Sequence, residues 1–268
     1  MAHGLGVLAV LRDEAANLPA FLGLLEQLER QPEFEGVFCS FYENDSRDGT
    51  PDQLDRWLQQ RPGALISERL GESRLQGRQQ ARTQRLAYAR NRALEPLLVV
   101  DPRWVLVIDA DLHVELAQVL RLFALLHRHS EAAMVCASAM QNVPDVLGEG
   151  NWSYYDSWAL RDLEGQGGIT FAANPFRRWP DRWRWMAGLP LPVMAAFGGM
   201  ALLQANTIRR HGLFWDGDAG CEHWAFCAAA RRSGVVLACP TVRPLVLHAI
   251  PPTWDGDYAR RVRSQLAA

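Results

Sequence analysis

The sequence predicts an α/β fold in which a mostly parallel central sheet is flanked by helices. Strand and helix signals alternate through the first half of the 268-residue chain, which is typical of parallel strands joined by right-handed crossovers. Residues 104–108 are almost continuously apolar, as in a strand that is buried on both faces. A chain of this length buries roughly three quarters of its unfolded surface and needs no disulfide or zinc for a stable core.

The elements of the first half are predicted from apolar runs and helix-start residues. Apolar runs of strand length occupy 7–11, 36–42, 64–67, 104–108 and 132–139. Helices are predicted after Asn17, after Thr50, over 79–94 and over 116–127. Thr50 is expected to be the N-cap of its helix, because Pro51 suits the first helical position.

The second half begins with an irregular segment. Residues 141–195 combine many tryptophans, glycines and prolines with weak periodicity, which is typical of binding loops or lids. The remainder predicts a strand over 196–203, a short helix that ends at Gly212, a helix over 221–232, and strands near 235–238 and 242–247. The chain has no internal repeat or linker, so one domain over 1–268 is expected.

Composition and charge exclude several classes of protein. Apolar residues make up 49% of the chain and charged residues 22%, which excludes disorder, collagen and coiled coil. The net charge of −2 argues against a binder of duplex DNA. The longest uncharged apolar stretch, Val193 to Leu203, is much shorter than the roughly 18 residues of a membrane-spanning helix.

The expected location follows from the cysteines and from the first residues. The five cysteines, at 39, 136, 221, 227 and 239, form no C-x-x-C pair and are expected to be free buried thiols. The first residues do not have the pattern of a signal peptide. The expectation is a cytoplasmic protein, with peripheral association to a membrane as the alternative.

Two carboxylates directly follow the predicted strand over 104–108. Asp109 and Asp111 are separated by one residue, so both can face one divalent cation beyond the end of the strand. Hard Mg²⁺ or Mn²⁺ prefers oxygen ligands and often also binds substrate phosphates. Solvated loop acids are the alternative, but the position favours a site, because doubly wound sheets bind ligands at the carboxyl ends of their strands.

Polar residues also follow the first two predicted strands. Leu11-Arg12-Asp13-Glu14 ends the first strand, and Glu43-Asn44-Asp45 ends the second. An acidic or amide group at the second position could form hydrogen bonds with a nucleotide base or ribose. The following residues, Ser46 to Pro51, are explained by a β-to-α turn alone.

In this order and spacing, these segments resemble a nucleotide-sugar glycosyltransferase of the GT-A (Rossmann-like) fold. Phe197 to Leu203 resembles its glycine-rich loop and strand, Cys221-Glu222-His223 its second acidic motif, and Leu247-His248-Ala249 its C-terminal histidine. More narrowly, segments 42–50, 82–94, 105–112, 154–162 and 221–227 resemble the cryptococcal capsule-associated mannosyltransferases, glycosyltransferase family 69. The resemblance covers residues 7–250.

The resemblance implies roles for particular residues. The nucleotide-binding half is expected over 1–140 and the acceptor-binding half over 141–268. The residues expected to bind the nucleotide sugar are Leu11, Arg12, Glu14, Glu43, Asn44, Asp45, Arg82, Arg90, Asn91, Asp109, Gly198 and Gly199. The expected metal ligands are Asp109, Asp111 and His248. The residues expected to take part in catalysis are Glu222, Asp156, Arg161 and Asp162.

Several of these roles have a structural alternative. Glu222 either orients sugar hydroxyls or is a carboxylate favoured by the dipole at a helix start. The segment 154–162 is either a clamp on sugar hydroxyls or a helix with an aspartate cap. His248 is either a metal ligand or a packed histidine at a strand end. Arginines 78, 82 and 85 share one helix face, which either is solvated or reaches the diphosphate.

The expected function is metal-dependent glycosyl transfer. With Mn²⁺ or Mg²⁺, the protein would move mannose from GDP-mannose, with retention, onto a glycan or polysaccharide acceptor. The alternatives are a UDP-sugar donor on the same fold and a non-catalytic module that binds a nucleotide or sugar. A nucleotidyltransferase is disfavoured, because residues 11–14 contain no glycine for a phosphate loop. No nucleic-acid partner is expected.

Overall fold

The computed structural model describes residues 4–71, 73, 75, 78–143 and 151–246. Its strands are β1 (Leu5–Leu11), β2 (Val37–Asn44), β3 (Gly63–Glu68), β4 (Trp104–Ile108), β5 (Leu112–His113), β6 (Ala132–Cys136), β7 (Met140–Val143), β8 (Asn151–Tyr154), β9 (Leu191–Val193), β10 (Met200–Gln204), β11 (Val235–Ala238) and β12 (Leu245–Val246). Its α-helices are α1 (Leu18–Glu29), α2 (Thr50–Leu58), α3 (Gln80–Val100), α4 (Leu116–Arg128), α5 (Trp179–Met186), α6 (Ala205–His211) and α7 (His223–Ala230).

The large sheet has eight strands in the order β3-β2-β1-β4-β10-β6-β11-β9. Strands β3, β2, β1 and β4 are parallel, as are β6 and β11. Strand β10 is antiparallel to both of its neighbours, and β9 is antiparallel to β11. The α/β class is therefore confirmed, but the sheet is mixed. A strand that is apolar throughout indicates burial on both faces and does not encode its direction.

A second sheet of four short strands, in the order β5-β12-β7-β8, lies outside the expected architecture. Its strands are two to four residues long within the described ranges. Periodicity cannot identify strands this short, because about four residues are needed to establish alternation. Strand β5 directly follows Asp111, so this sheet holds the chain that leaves the predicted metal-binding segment.

Helices cover both faces of the large sheet. Val105 and Val107 of β4 pack in an apolar layer with Ala93 and Leu97 of α3. The intervening strand residues lie in a second layer, which includes residues of α1 and α4. The alternation of side chains along β4 thus fills two apolar layers, which explains why the whole strand is apolar.

Several element boundaries differ from the sequence prediction. Helix α3 continues past Leu94 to Val100, although it contains Pro96, and ends at Asp101 in the left-handed conformation (φ 57°). The N-cap of α2 is Gly49, so the prediction that Thr50 is the cap is wrong by one residue. The Thr50 hydroxyl instead donates to the Asp48 carboxylate at 2.6 Å, which holds the turn before the helix.

The strand predicted over 196–203 begins only at Met200. Gly198 and Gly199 have φ values of 63° and 77°, which interrupt the extended chain. A Cβ atom on Gly198 would overlap the backbone carbonyl of Ala137, and one on Gly199 would lie 2.7 Å from Leu112. Glycine is therefore required at both positions, and the turn brings this backbone against the end of β4.

Two further segments differ from the sequence interpretation. The helix predicted over 221–232 spans His223–Ala230, with Glu222 as its N-cap residue. Residues 155–160 form a bend and a turn rather than a helix, and Arg161 forms isolated β-bridges to Gly167 and Ala195. No helix among the described residues is long and apolar enough to span a bilayer.

Replacing Gly198 by alanine is expected to lower the free energy of unfolding more than replacing Gly212 by alanine. Both positions have left-handed backbone, which costs a non-glycine residue about 1–3 kcal/mol. Only Gly198 adds a clash with backbone, because nothing lies near a Cβ on Gly212. Denaturant unfolding of the two variants measures the difference, and equal losses would contradict the close approach at Gly198.

Candidate active site

The loops after β1 and β2 are tied to each other by hydrogen bonds. The backbone N–H of Asp13 donates to the Ser46 hydroxyl at 3.0 Å, and that of Glu14 donates to the Thr50 hydroxyl at 2.8 Å. In return, the Arg47 N–H donates to the Asp13 carboxylate at 2.7 Å. These bonds form a fixed rim at the carboxyl ends of two parallel strands, where doubly wound sheets bind ligands.

Glu43 lies inside this rim. Its side chain is buried, and its two carboxylate oxygens accept hydrogen bonds from the Ser46 N–H and the Ser67 hydroxyl, both at 2.7 Å. Asn44 and Asp45 are half-buried, and Asp45 has a φ of 54°. Hydrogen bonds within the loop therefore account for most of the polar residues at the end of β2. The Asn44 side chain also lines a cavity beside α3.

A cavity of about 470 Å³ lies between the end of β2 and the start of α3. It is lined by Tyr42, Asn44, Leu70, Ala81, Gln84, Arg85 and Tyr88. The hydroxyls of Tyr42 and Tyr88 donate to one oxygen of Glu68 at 2.8 and 3.0 Å. These bonds, with Arg92, hold the pKa of the Glu68 carboxyl below its usual value. The Glu68 carboxylate thus fixes the positions of the two tyrosine rings that line the cavity.

The centre of the candidate site is the guanidinium of Arg90, which α3 carries into the interior. The side chain is only 6% exposed. It bonds the carboxylate of Glu222, and its Nη2 lies 3.1 Å from Asp109 Oδ1. Its Cζ lies 5.1 Å from the centroid of the Phe197 ring, a cation–π contact. Three separate segments of the chain therefore meet at one side chain.

A layer of rings supports this ion pair. Phe197 stacks on His223 with ring centroids 4.1 Å apart. Burial and the nearby charge of Arg90 lower the pKa of His223 well below its usual value, so the imidazole is neutral. The Trp215 indole N–H donates to Nδ1 of His223 at 3.3 Å, which leaves the proton on Nε2, 3.5 Å from Glu222.

Asn91, the residue after Arg90, holds the loop before α7. Its side-chain amide donates to the Trp215 carbonyl at 2.8 Å and accepts from the Trp215 N–H at 2.9 Å. Asn91 was predicted to bind the nucleotide sugar, and the structure instead shows its amide engaged by protein backbone. The pair fixes Trp215 and, through it, His223.

Asp156 connects the irregular segment to the glycine turn. One carboxylate oxygen accepts from the Gly198 N–H at 3.0 Å, and the other from the Ala159 N–H at 3.3 Å. The Gly199 carbonyl in turn accepts from the Asp109 N–H at 2.9 Å. The structure thus brings Asp156, Gly198, Gly199 and Asp109 together.

The acids of the site crowd one another. Asp109 is 28% exposed, yet burial raises its pKa from 3.8 to about 7, helped by the charges of Asp111, Asp156 and Glu222 and opposed by Arg90. Burial also raises the pKa of Asp156. Four carboxylates thus lie near the one buried guanidinium of Arg90, which pairs with Asp109 and Glu222. The resulting excess of negative charge suits a divalent cation with hard oxygen ligands.

Within the described ranges, the residues supply only part of a metal site. They contain no group of three histidine, cysteine or acidic side chains arranged to hold an ion. Asp109 and Asp111 supply oxygen donors at the end of β4. His248, the third predicted ligand, lies outside the described residues.

Two further residues expected to take part in catalysis, Arg161 and Asp162, contact other parts of the protein. Arg161 stacks on Trp224 at 3.9 Å. Asp162 is buried and accepts from the N–H groups of Glu164 and Gln166 at 3.0 and 2.8 Å, so its carboxylate closes a turn.

Other residues predicted to bind the nucleotide sugar lie at the end of β1 and on α3. Leu11 is a core residue at the end of β1 and has only its backbone at the rim. Arg12 and Glu14 are half-buried in the loop that follows. The Glu14 carboxylate accepts from the Asn17 amide at 2.6 Å. Arg82, half-buried on α3, lies close enough to Tyr155 for its charge to act on that phenol.

Sequence reasoning missed the supporting rings. The sequence indicates Phe197 only as the start of a glycine-rich loop, and it gives no signal for Trp215. An aromatic next to two glycines is a weak signal, and the partners of Phe197 are distant in the sequence. His223 is not among the predicted metal ligands, and its ring is buried and neutral in the structure.

The family described as cryptococcal mannosyltransferase 1 matches residues 7–232. The chain belongs to this family. The match includes the segments of Asp109, Arg90 and Glu222, which meet in the structure as described above. No curated protein matches the chain.

Solved structures share the fold of this family member at low sequence identity. The mannosyltransferase PcManGT from Pyrobaculum calidifontis, in complex with GDP-Man and Mn²⁺, matches with a TM-score of 0.53 and 17% identity over 98% of this chain. The match covers 61% of that chain, so the present chain spans about three fifths of its length. The structure of S. aureus TarS 1–349 matches with a TM-score of 0.52 and 12% identity, over 98% of this chain and 69% of that one. The GT-A fold is confirmed.

Replacing Arg90 by glutamine is expected to lower the free energy of unfolding by about 3–5 kcal/mol, because it leaves a buried carboxylate without its cation. Adding Glu222→Gln to this variant should recover part of the loss, since the stranded charge is then removed. Denaturant unfolding of both single variants and the double variant measures the coupling. Additive losses in the double variant would show that the pair is not coupled.

The contribution of Asp109 to the stability of the protein without ligands is expected to fall as pH rises from about 4 to 7. The folded state has the higher Asp109 pKa, so in this range it binds more protons than the unfolded state and is stabilised by acid. Asp109→Asn should flatten this dependence. Urea titrations at several pH values measure it, and an unchanged slope in the variant would contradict the assignment.

Proposed function

We propose that the chain transfers a mannosyl group from GDP-mannose to a carbohydrate acceptor, with retention of configuration and with Mn²⁺ or Mg²⁺. The observation that carries the proposal is the meeting of Asp109, Arg90 and Glu222 beneath the glycine turn, in a member of the cryptococcal mannosyltransferase family.

The cavity beside α3 suits the nucleoside of the donor. Its volume of about 470 Å³ lies within the roughly 300–1,000 Å³ of small-molecule sites. Tyr88, which is exposed, offers a ring surface on which a base can stack, and the buried Tyr42 packs against it with ring centroids 6.1 Å apart. The amides of Asn44 and Gln84 offer both donors and acceptors. A guanine presents both kinds of group and therefore suits this lining.

The diphosphate would lie over the ends of β1 and β4. Asp109 and Asp111, with His248 as a third ligand by resemblance, would hold the divalent cation. When bound, such a cation neutralises the charge that develops on the departing diphosphate. PcManGT carries both GDP-Man and Mn²⁺ in its structure, which supports the choice of donor and metal. Arg82, half-buried on α3, would meet phosphate oxygens.

The chain's own residues then orient the sugar. Glu222 is buried, with Oε1 paired to Arg90 and Oε2 3.6 Å from the Cys221 thiol, a weak donor that a sugar hydroxyl could replace. We therefore assign it to accepting hydrogen bonds from sugar hydroxyls, which fits a retaining reaction that needs no base at this place. Asp156 holds the glycine turn that forms the floor beneath the sugar.

The acceptor would approach from the irregular segment. Arg161 and Trp224 form a stacked pair next to the start of α7, and an aromatic face with a charged edge suits a pyranose. We assign Asp162 to holding the turn that follows Arg161, rather than to catalysis. One domain and a cytoplasmic location complete the proposal, and the five free, buried cysteines agree with a reducing compartment.

Thermal unfolding with nucleotides tests the donor and the metal. GDP with Mn²⁺ should stabilise the protein by about 2.7 kcal/mol at 100 times its dissociation constant. Asp111→Ala should abolish both this stabilisation and mannosyl transfer, because it removes a metal ligand. Asp55→Ala, on the surface helix α2, is the matched control and should change neither.

Other outcomes distinguish the alternatives. Stabilisation by UDP rather than GDP would keep the fold and the metal and replace the donor. Binding of GDP-mannose without turnover over a broad panel of acceptors would favour a binding module. If no nucleotide stabilises the protein, or if Asp111→Ala keeps full activity, the proposal is wrong.

A further inference from the structure

Exposed apolar side chains are concentrated in one part of the described chain. Of the twelve large hydrophobic residues that are exposed, seven lie between residues 163 and 194. They are Leu163, Phe171, Trp179, Trp183, Met186, Leu189 and Met194. A water-facing surface rarely concentrates apolar groups in this way unless something covers it.

Helix α5 presents the largest of these side chains on one face. Trp179, Trp183 and Met186 follow at i, i+4 and i+7 and are 67, 54 and 61% exposed. Trp185 lies on the opposite face and is 3% exposed, where it contacts Tyr154 at a centroid distance of 5.6 Å. The helix is thus anchored through one tryptophan, and its outer apolar face is held rigidly toward solvent.

The same helix is locally basic in an acidic chain. Residues 177–186 contain four arginines and one aspartate, whereas the whole chain has a net charge of −2. Arg177, which lies just before the helix, and Arg184, within it, are both exposed. Arg178 is the arginine that pairs with acids, lying 3.1 Å from Glu164 and 3.8 Å from Asp181.

We propose that this face of α5 and its flanking residues bind the surface of a bilayer that contains anionic lipids. Tryptophan is favoured at the headgroup level, where one part of the ring is apolar and the other is wet. Arginines beside it meet anionic headgroups, which complements the local positive charge. A helix that exposes two tryptophans and a methionine on one face suits the interface of a bilayer. The proposal does not rest on the donor or on the metal.

Sedimentation of the full chain with lipid vesicles tests the proposal. The protein should bind vesicles of phosphatidylcholine with phosphatidylglycerol much more strongly than vesicles of phosphatidylcholine alone. The emission of its tryptophans should shift to the blue on binding. High salt should weaken the binding, because the attraction to headgroups is screened.

Two variants separate the apolar and the electrostatic contributions. Trp179→Ser with Trp183→Ser should abolish the blue shift and most of the binding. Arg177→Gln with Arg184→Gln should weaken binding to the anionic vesicles by about ten-fold or more. Phe214→Ser is the matched control, since Phe214 is 58% exposed outside this segment and should not matter.

The result that overturns the proposal is equally specific. It fails if the chain binds neither kind of vesicle, or if the tryptophan variant and the Phe214 control bind alike. It also fails if light scattering shows self-association that the tryptophan variant removes while vesicles remain unbound, which would assign the face to a second copy of the chain. Stabilisation by GDP and Mn²⁺ should persist in all variants, so the two proposals stand or fall separately.

Discussion

The guanidinium of Arg90 is the one group on which the arrangement of the candidate site depends. It joins Glu222 at the start of α7 to Asp109 at the end of β4, and it lies over Phe197 in the segment between them. Burying an ion costs several kcal/mol, and this cost is offset only where partners surround it. The register of α3 against the sheet is therefore constrained by the need to place Arg90 between its two carboxylates.

That pairing neutralises only part of the charge of the site. Asp109, Asp111, Asp156 and Glu222 lie close enough for their charges to act on one another, and burial raises the pKa of Asp109 to about 7. A nucleoside diphosphate would add more negative charge. The carboxylates alone would repel such a donor, and the proposed divalent cation would offset this repulsion by binding to the carboxylates and to the diphosphate. The raised pKa and the expected metal are two consequences of the same crowding.

The sequence predicted the α/β class and most elements, because β1, β2, β4 and α4 have strong periodicity or continuous burial. It did not predict the mixed sheet or the small second sheet, since strand direction and strands of two residues leave no pattern. In the site, Asp109, Glu222 and Arg90 were all expected, but the burial of Arg90 between the two acids was not. A long-range ion pair of this kind cannot be inferred from spacing along the chain.

The tryptophans of α5 show what the fold does and does not require. Trp183 and Trp185 are two residues apart, so their side chains point about 200° apart around the helix, and one must face outward when the other is buried. Core packing explains Trp185, which contacts Tyr154 and Phe176. It does not explain Trp179, Trp183 and Met186, where any polar residue would preserve the helix. An apolar stripe that the fold does not need, bordered by arginines, is better explained by a contact outside the protein.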